Sequence, residues 1–255
     1  MAEQVLIIDF GSQYTQLITR KSRELGHSTI IMTVENCLAK IEKGEAPEAF
    51  ILSGGPSSIF EDKTNYASIF NLKLPILGIC YGMQIVAHYF GGEVTRGELG
   101  EYGLTYLNEE TGHTLVKVPK RFKVWMSHFD HVEKAPEDFK VILKSDNGLL
   151  AAMENKEKKI LALQFHPEVE HSEYGKEVLA HFFEDIAALK KNWSNEIMLK
   201  DCTEKVVKVK GHKVLCAFSG GVDSLVAATI AHRELGDDLY CFFVDNGLLR
   251  PQDHN

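Results

Sequence analysis

Four short apolar runs, Val5–Ile8, Thr29–Met32, Ala49–Leu52 and Ile76–Ile79, recur through the first eighty residues, each bounded by turn residues. Runs of this length are too short for helices. Their continuous rather than alternating apolar character predicts strands buried on both faces. Two amphipathic stretches read as helices: Thr15–Leu25, closed by Gly26, and Gly82–Phe90, closed by Gly91-Gly92. Strands alternating with helices predict an α/β fold with a mostly parallel central sheet flanked by helices.

From Glu93 to Leu163 the pattern shortens to β segments and loops, at Leu104–Leu107, Leu115–Val118, Val124–Met126, Val141–Leu143 and Ile160–Leu163. A long helix is predicted from about Gly175 to Lys190, completing a domain over residues 1–190. Residues 191–205 are polar and read as a linker or connecting helix. The α/β pattern then restarts with a strand (Val214–Phe218), a helix (Ser224–Leu235, then Gly236) and a strand (Leu239–Val244). Residues 206–255 thus hold the first βαβ unit of a second α/β domain, too little for a whole nucleotide domain.

The net charge of −8 argues against a protein that binds nucleic acid by neutralising phosphates. Without a basic, apolar leader or an apolar segment near twenty residues, neither a signal peptide nor a membrane span is expected. The five cysteines are scattered and never spaced C-x-x-C, which favours reduced thiols in the cytoplasm over disulfides or structural zinc.

One cysteine has a special setting. Pro75-Ile76-Leu77-Gly78-Ile79-Cys80-Tyr81-Gly82-Met83-Gln84 ends a buried strand at Cys80 and begins a helix at once. Glycines two residues to either side parallel the G-x-S-x-G turn that exposes the nucleophile of serine hydrolases. A helix N-terminus also favours the reactive thiolate. Further on, Gln164-Phe165-His166-Pro167-Glu168 places a histidine and a carboxylate at i and i+2 just past an apolar strand. In extended backbone they share a face, so Glu168 can orient the His166 ring that takes a proton from Cys80. A third segment, Ser53-Gly54-Gly55-Pro56, offers backbone N–H groups suited to an oxyanion, together with that of Tyr81.

Taken in order, these three segments resemble the class I glutamine amidotransferases. The resemblance implies that Cys80 forms a glutamyl thioester and releases ammonia, with His166 as base and acid and Glu168 orienting it. It implies Gly55 and Tyr81 as the oxyanion hole, and Gln84, Ser127 and Asp130 as glutamine contacts. One departure stands out: the family loop usually reads M-S-H-G-D-K, and here it is Met126-Ser127-His128-Phe129-Asp130-His131. If the glycine adopts a positive φ, Phe129 should cost free energy or reshape the loop.

The second domain opens on Ser219-Gly220-Gly221-Val222-Asp223-Ser224 between a strand and a helix. Its N–H groups, the two serine hydroxyls and the helix N-terminus suit a phosphate, yet the Walker lysine is missing. Asp223 beside an anion implies an intervening cation, such as Mg2+. The segment is similar to the pyrophosphate loop of the N-type ATP pyrophosphatases. Residues 241–250 are similar to the following strand and turn of GMP synthases, which makes Val244 a candidate backbone contact to adenine.

A class I amidotransferase followed by this loop is the GMP synthase arrangement. The resemblance implies glutamine, Mg-ATP and xanthosine monophosphate (XMP) as substrates. It also implies XMP contacts and a homodimer interface in a C-terminal region beyond these residues. Two other readings stay open: a stand-alone thiol hydrolase such as a γ-glutamyl peptidase, and a catalytically weak regulatory module.

Overall fold

In the computed structural model the apolar runs form strands β1 (Val5–Ile8), β2 (Thr29–Met32), β3 (Ala49–Leu52) and β4 (Ile76–Ile79). They alternate with helices α1 (Thr15–Glu24), α2 (Val34–Glu42), α3 (Ala67–Phe70) and α4 (Tyr81–Tyr89). The structure describes residues 4–97, 100–110, 115 and 118–244. The chain divides into two units, Met1–Asn192 and Trp193–Asn255.

The first unit continues with β5 (Glu93–Thr95), β6 (Glu101–Glu109), β7 (Arg121–His128), β8 (His131–Lys134), β9 (Lys140–Ser145), β10 (Leu150–Asn155) and β11 (Ile160–Leu163). A nine-stranded sheet runs β2-β1-β3-β4-β11-β10-β9-β6-β7. The half from β2 to β11 is parallel. The half from β10 to β7 pairs antiparallel. β5 and β8 form a small separate sheet.

Alternate residues of the parallel strands feed two cores. Val5, Ile7, Ile51, Leu77 and Ile79 pack on one face with Phe182 and Phe183. Leu6, Ile8, Phe50, Leu52 and Ile76 pack on the other with Met83, Ile85 and Val86. Each fully buried side chain of this size contributes about 1.5–3 kcal/mol, so two-sided burial is what defines the fold. β2 is the exception. It is the sheet edge, and only Thr29 of its four residues is fully buried, against the expectation of cover on both faces.

Other expectations also need correction. The helix predicted to Lys190 is α5 (Gly175–Ala180) followed by a π-helical segment, His181–Ile186. The wider turn lets the adjacent Phe182 and Phe183 both be fully buried. Ala188, at φ 52°, then ends the helix with Leu189 N–H donating to Phe183 O at 2.9 Å, a Schellman-type cap. Leu115 and Val118 are buried, with Val118 N–H donating to Leu115 O at 2.9 Å; residues 116 and 117 of the strand expected there lie outside the described residues.

The second unit contains α6 (Asn195–Val207), β12 (Val214–Phe218), α7 (Val222–Leu235) and β13 (Leu239–Phe243). Most of the predicted linker 191–205 is therefore helical, started by Ser194 Oγ accepting from Ile197 N–H at 3.3 Å. β12 and β13 pair in parallel. Their apolar residues stay open to solvent, with Leu215 73% and Phe242 49% exposed.

Candidate active site

Cys80 sits between β4 and α4 with φ 53° and ψ −106°, a backbone conformation that non-glycine residues rarely adopt. The flanking residues explain how the chain tolerates it. A Cβ on Gly78 would stand 2.7 Å from Gly82 O, and one on Gly82 would collide with Leu52 O. Both positions exclude side chains for steric reasons. Cys80 N–H donates to Leu163 O at 2.7 Å and Gly82 N–H to Ser53 O at 3.1 Å, so the turn is tied to both neighbouring strands. The thiol is held at the N-terminus of α4, 3.6 Å from Ser127 O.

His166 follows β11, the strand next to β4. Its Nδ1–H donates to Glu168 Oε1 at 2.7 Å, and both side chains are buried. Its backbone is clamped by N–H donation to Trp125 O at 3.2 Å and by Ser172 Oγ donating to its carbonyl at 2.6 Å. Burial works against a charged ring, but the Glu168 carboxylate and the Cys80 side chain outweigh it and push His166 up to about 10. At neutral pH the ring therefore carries its proton beside the cysteine sulfur. This is the charge arrangement needed to protonate a leaving amine.

The Ser53–Pro56 loop closes the other side of the site. A Cβ on Gly54 would lie 3.0 Å from His166 Cε1 and 3.5 Å from Cys80 Cβ, so this glycine abuts the reacting pair. Gly55 packs on Phe10, where a Cβ would meet the backbone oxygen at 2.5 Å. Gly55 and Tyr81 both line an open cavity of about 710 Å³ that also reaches Cys80 and His166. Gln84, Ser127 and Asp130 line it as well. Gln84 Nε2 donates to Asp130 O at 2.8 Å, and Ser58 Oγ donates to Asp130 Oδ2 at 2.5 Å.

Except for Glu168, which is bonded to His166 and does not line the cavity, the predicted residues of the first unit thus converge on one cavity, at the carboxyl ends of β1, β3, β4 and β11, the usual place for ligands in an open α/β sheet. Phe129 lines it too, 48% exposed. It is not among the residues with positive φ, so the backbone cost anticipated for replacing glycine does not arise.

Sequence reasoning missed Tyr14, whose ring meets His166 edge-on at 5.0 Å, and Ser58, Glu101 and His128, which anchor the Ser127–Asp130 loop. Gly11-Ser12-Gln13-Tyr14, a turn after β1, was the available signal for the first of these.

In the second unit Ser219 Oγ and Ser224 Oγ are 3.1 Å apart, and Ser219 N–H donates to Ser224 Oγ at 3.3 Å. Gly220 has φ 78°, and Gly221 caps α7. The helix begins at Val222, two residues earlier than predicted, which puts Val222 and Asp223 in its first turn. Val244 lies just past β13 and is 69% exposed; residues 245–250 of the expected turn are outside the described residues. Among the described residues no three His, Cys, Asp or Glu side chains cluster to hold a metal.

Residues 6–186 match the model of the family "Glutamine amidotransferase class-I". The chain belongs to the class I glutamine amidotransferases. Its family segment contains all the cavity residues described above. A glutamine-hydrolyzing GMP synthase of Macrococcus caseolyticus is 45% identical over 97% of this chain and 49% of its own length. One from Aquifex aeolicus is 44% identical over 96% of this chain and 49% of its own. The chain spans about half the length of the curated relatives it matches. Among solved structures, a candidate GMP synthase subunit from Thermoplasma acidophilum superposes with a TM-score of 0.65 at 30% identity, covering 74% of this chain and 95% of that one. A glutamine amidotransferase from Thermotoga maritima shares the fold, with a TM-score of 0.51 at 20% identity over 93% of this chain and 94% of that one.

Proposed function

We propose that this chain carries the glutamine-hydrolysing half of a glutamine-dependent GMP synthase. The observation that carries the reading is the strained Cys80 turn beside the buried His166–Glu168 pair. The Cys80 sulfur attacks the carboxamide carbon of glutamine, and the developing oxyanion takes hydrogen bonds from the N–H groups of Gly55 and Tyr81. His166 gives its proton to the departing nitrogen, which leaves as ammonia and creates a glutamyl thioester. Water then adds to the thioester, His166 accepts its proton, and glutamate leaves as the sulfur regains its starting state. Glu168 holds the ring throughout. Gln84, Ser127 and Asp130 orient the substrate.

The second half of the reaction is read from the Ser219–Ser224 loop and the GMP synthase relatives. ATP would place its pyrophosphate on Ser219, Gly220, Gly221, Val222 and Ser224, and its adenine near the Val244 backbone. Mg2+ would be held by Asp223 together with phosphate oxygens and water. The XMP oxygen is adenylylated, releasing pyrophosphate, and ammonia displaces AMP to give GMP. Free thiols throughout and the absence, among the described residues, of a helix able to cross a membrane support a cytoplasmic setting. A homodimer is proposed for the longer protein. Measuring glutamate release from glutamine, with and without ATP and XMP, tests the reading; no glutamate under any condition would sink it.

A further inference from the structure

We propose that Glu101 and His128 are positioning residues for the glutamine pocket, a buried carboxylate–imidazole pair that fixes the Ser127–Asp130 loop through the carbonyl of Asp130. The inference rests on the glutamine-hydrolysis reading and adds to it His128, which lines the cavity, and Glu101, which is not among the lining residues.

Glu101 opens β6 and His128 closes β7, and the two are directly opposed in the antiparallel ladder. Cross-strand partners share a face, so both side chains turn into the protein, where the residues are 6% and 4% exposed. Glu101 Oε2 lies 3.2 Å from His128 Nε2. Its other oxygen accepts from Ser145 Oγ at 2.8 Å and from Asn147 Nδ2 at 2.7 Å. Burial raises the cost of the charge, but His128, Asn147 and Ser145 together hold Glu101 below the ordinary carboxylate range. The remaining ring nitrogen, His128 Nδ1, is 3.1 Å from Asp130 O. Both nitrogens therefore face acceptors, and the ring satisfies both only by donating two N–H bonds.

Asp130 O is where the network meets the active site. It receives one donor from β7, His128 Nδ1–H, and a second from α4, Gln84 Nε2, at 2.8 Å. Gln84 is one helical turn past Cys80, and Ser127 O receives the Cys80 sulfur contact at 3.6 Å. A shift of this one carbonyl would move Gln84 relative to the loop and leave a buried donor unpaired. One of the two N–H donors of the Gln84 amide is used on the loop, and the second donor and the carbonyl oxygen remain for a ligand in the cavity that Gln84 lines. Packing alone would not call for a buried carboxylate here, since an apolar side chain fills space without the desolvation cost.

The test compares wild type with Glu101→Gln, His128→Asn, the double variant and Asn147→Ala, measuring steady-state glutamine hydrolysis and the rate of Cys80 alkylation by a small uncharged haloacetamide. Loss of one charged hydrogen bond in the relay should raise KM for glutamine about tenfold in each of the first two variants, with kcat changed less than about threefold. Alkylation should be unchanged, because the small reagent does not use the loop. The double variant should be no worse than the poorer single one, as expected for residues acting through one path. Asn147 is exposed, so Asn147→Ala should fold even if a buried variant does not, and should raise KM about threefold. An unchanged KM in the variants that fold would overturn the proposal. So would a fall in kcat matched by slower alkylation, which would place the pair at the nucleophile instead. If wild type itself releases no glutamate, the hydrolysis reading fails and this assignment falls with it.

Discussion

Gly54→Ala probes whether the glycine loop and the histidine are in the contact described. Position 54 has no positive φ, so alanine suits the backbone. Its Cβ would lie 3.0 Å from His166 Cε1, where ordinary contacts begin at 3.4 Å, so something must yield by at least 0.4 Å. The ring has little room to yield. Glu168 holds Nδ1 at 2.7 Å and Tyr14 packs against the ring at 5.0 Å. A misplacement of 1 Å at a reacting group costs on the order of 100-fold, so 0.4–0.5 Å should lower kcat for glutamine hydrolysis roughly five- to tenfold. KM should hardly move, because the proposed glutamine contacts are Gln84, Ser127 and Asp130 and not position 54. Overpacking of about 1–3 kcal/mol is partly offset by about 0.4–1 kcal/mol from the stiffer unfolded chain, so the fold should survive. Steady-state kinetics with a thermal melt on the same preparation reads both quantities. Gly82→Ala is the contrast: its Cβ strikes the Leu52 carbonyl, which cannot move, and the variant should not fold. A Gly54→Ala enzyme with wild-type kcat would refute the placement of His166 against this loop.

His166→Ala should lower kcat about 1000-fold, whereas Glu168→Gln should cost about 10- to 100-fold, since the carboxylate orients the ring without moving a proton itself; single-turnover assays separate the two. Phe129→Gly should change stability by less than about 0.5 kcal/mol and leave glutamine KM within about twofold, because the ring is exposed and its backbone unstrained. Glu101 is held below its usual value of 4.5, so its contribution to stability is present above that pH and is lost as pH falls through the lower folded value. The melting-temperature gap between wild type and Glu101→Gln should therefore narrow on acidification below pH 4.5, and a gap that widens there would contradict the assignment.

The parallel half of the sheet was legible because each strand is an unbroken apolar run between turn residues. The Cys80 turn was legible because two glycines at fixed spacing have a steric meaning that the backbone contacts of Gly78 and Gly82 make concrete. β10 was not, since Leu150-Ala151-Ala152-Met153 is poor in β-branched residues and becomes a strand only by pairing on both sides. The π-helical segment is equally silent in sequence, because helical periodicity does not announce an extra residue per turn. Glu101 and His128 escaped notice for another reason. They are 27 residues apart and meet only through the register of β6 and β7. Phe129 was a false alarm for strain: a glycine preference implied positive φ, and the loop does not adopt it.

The central claim is that Cys80 is the nucleophile toward glutamine. A diazoketone analogue of glutamine, incubated with the full chain and followed by intact mass and peptide mapping, tests it directly. The chain provides an internal control in Cys37, which is buried in the same unit with its thiol pushed up to about 11 by desolvation. A single adduct on Cys80, competed by glutamine and absent from Cys80→Ala, is the predicted result. Labelling of another cysteine at a comparable rate, or label on Cys80→Ala, would contradict it.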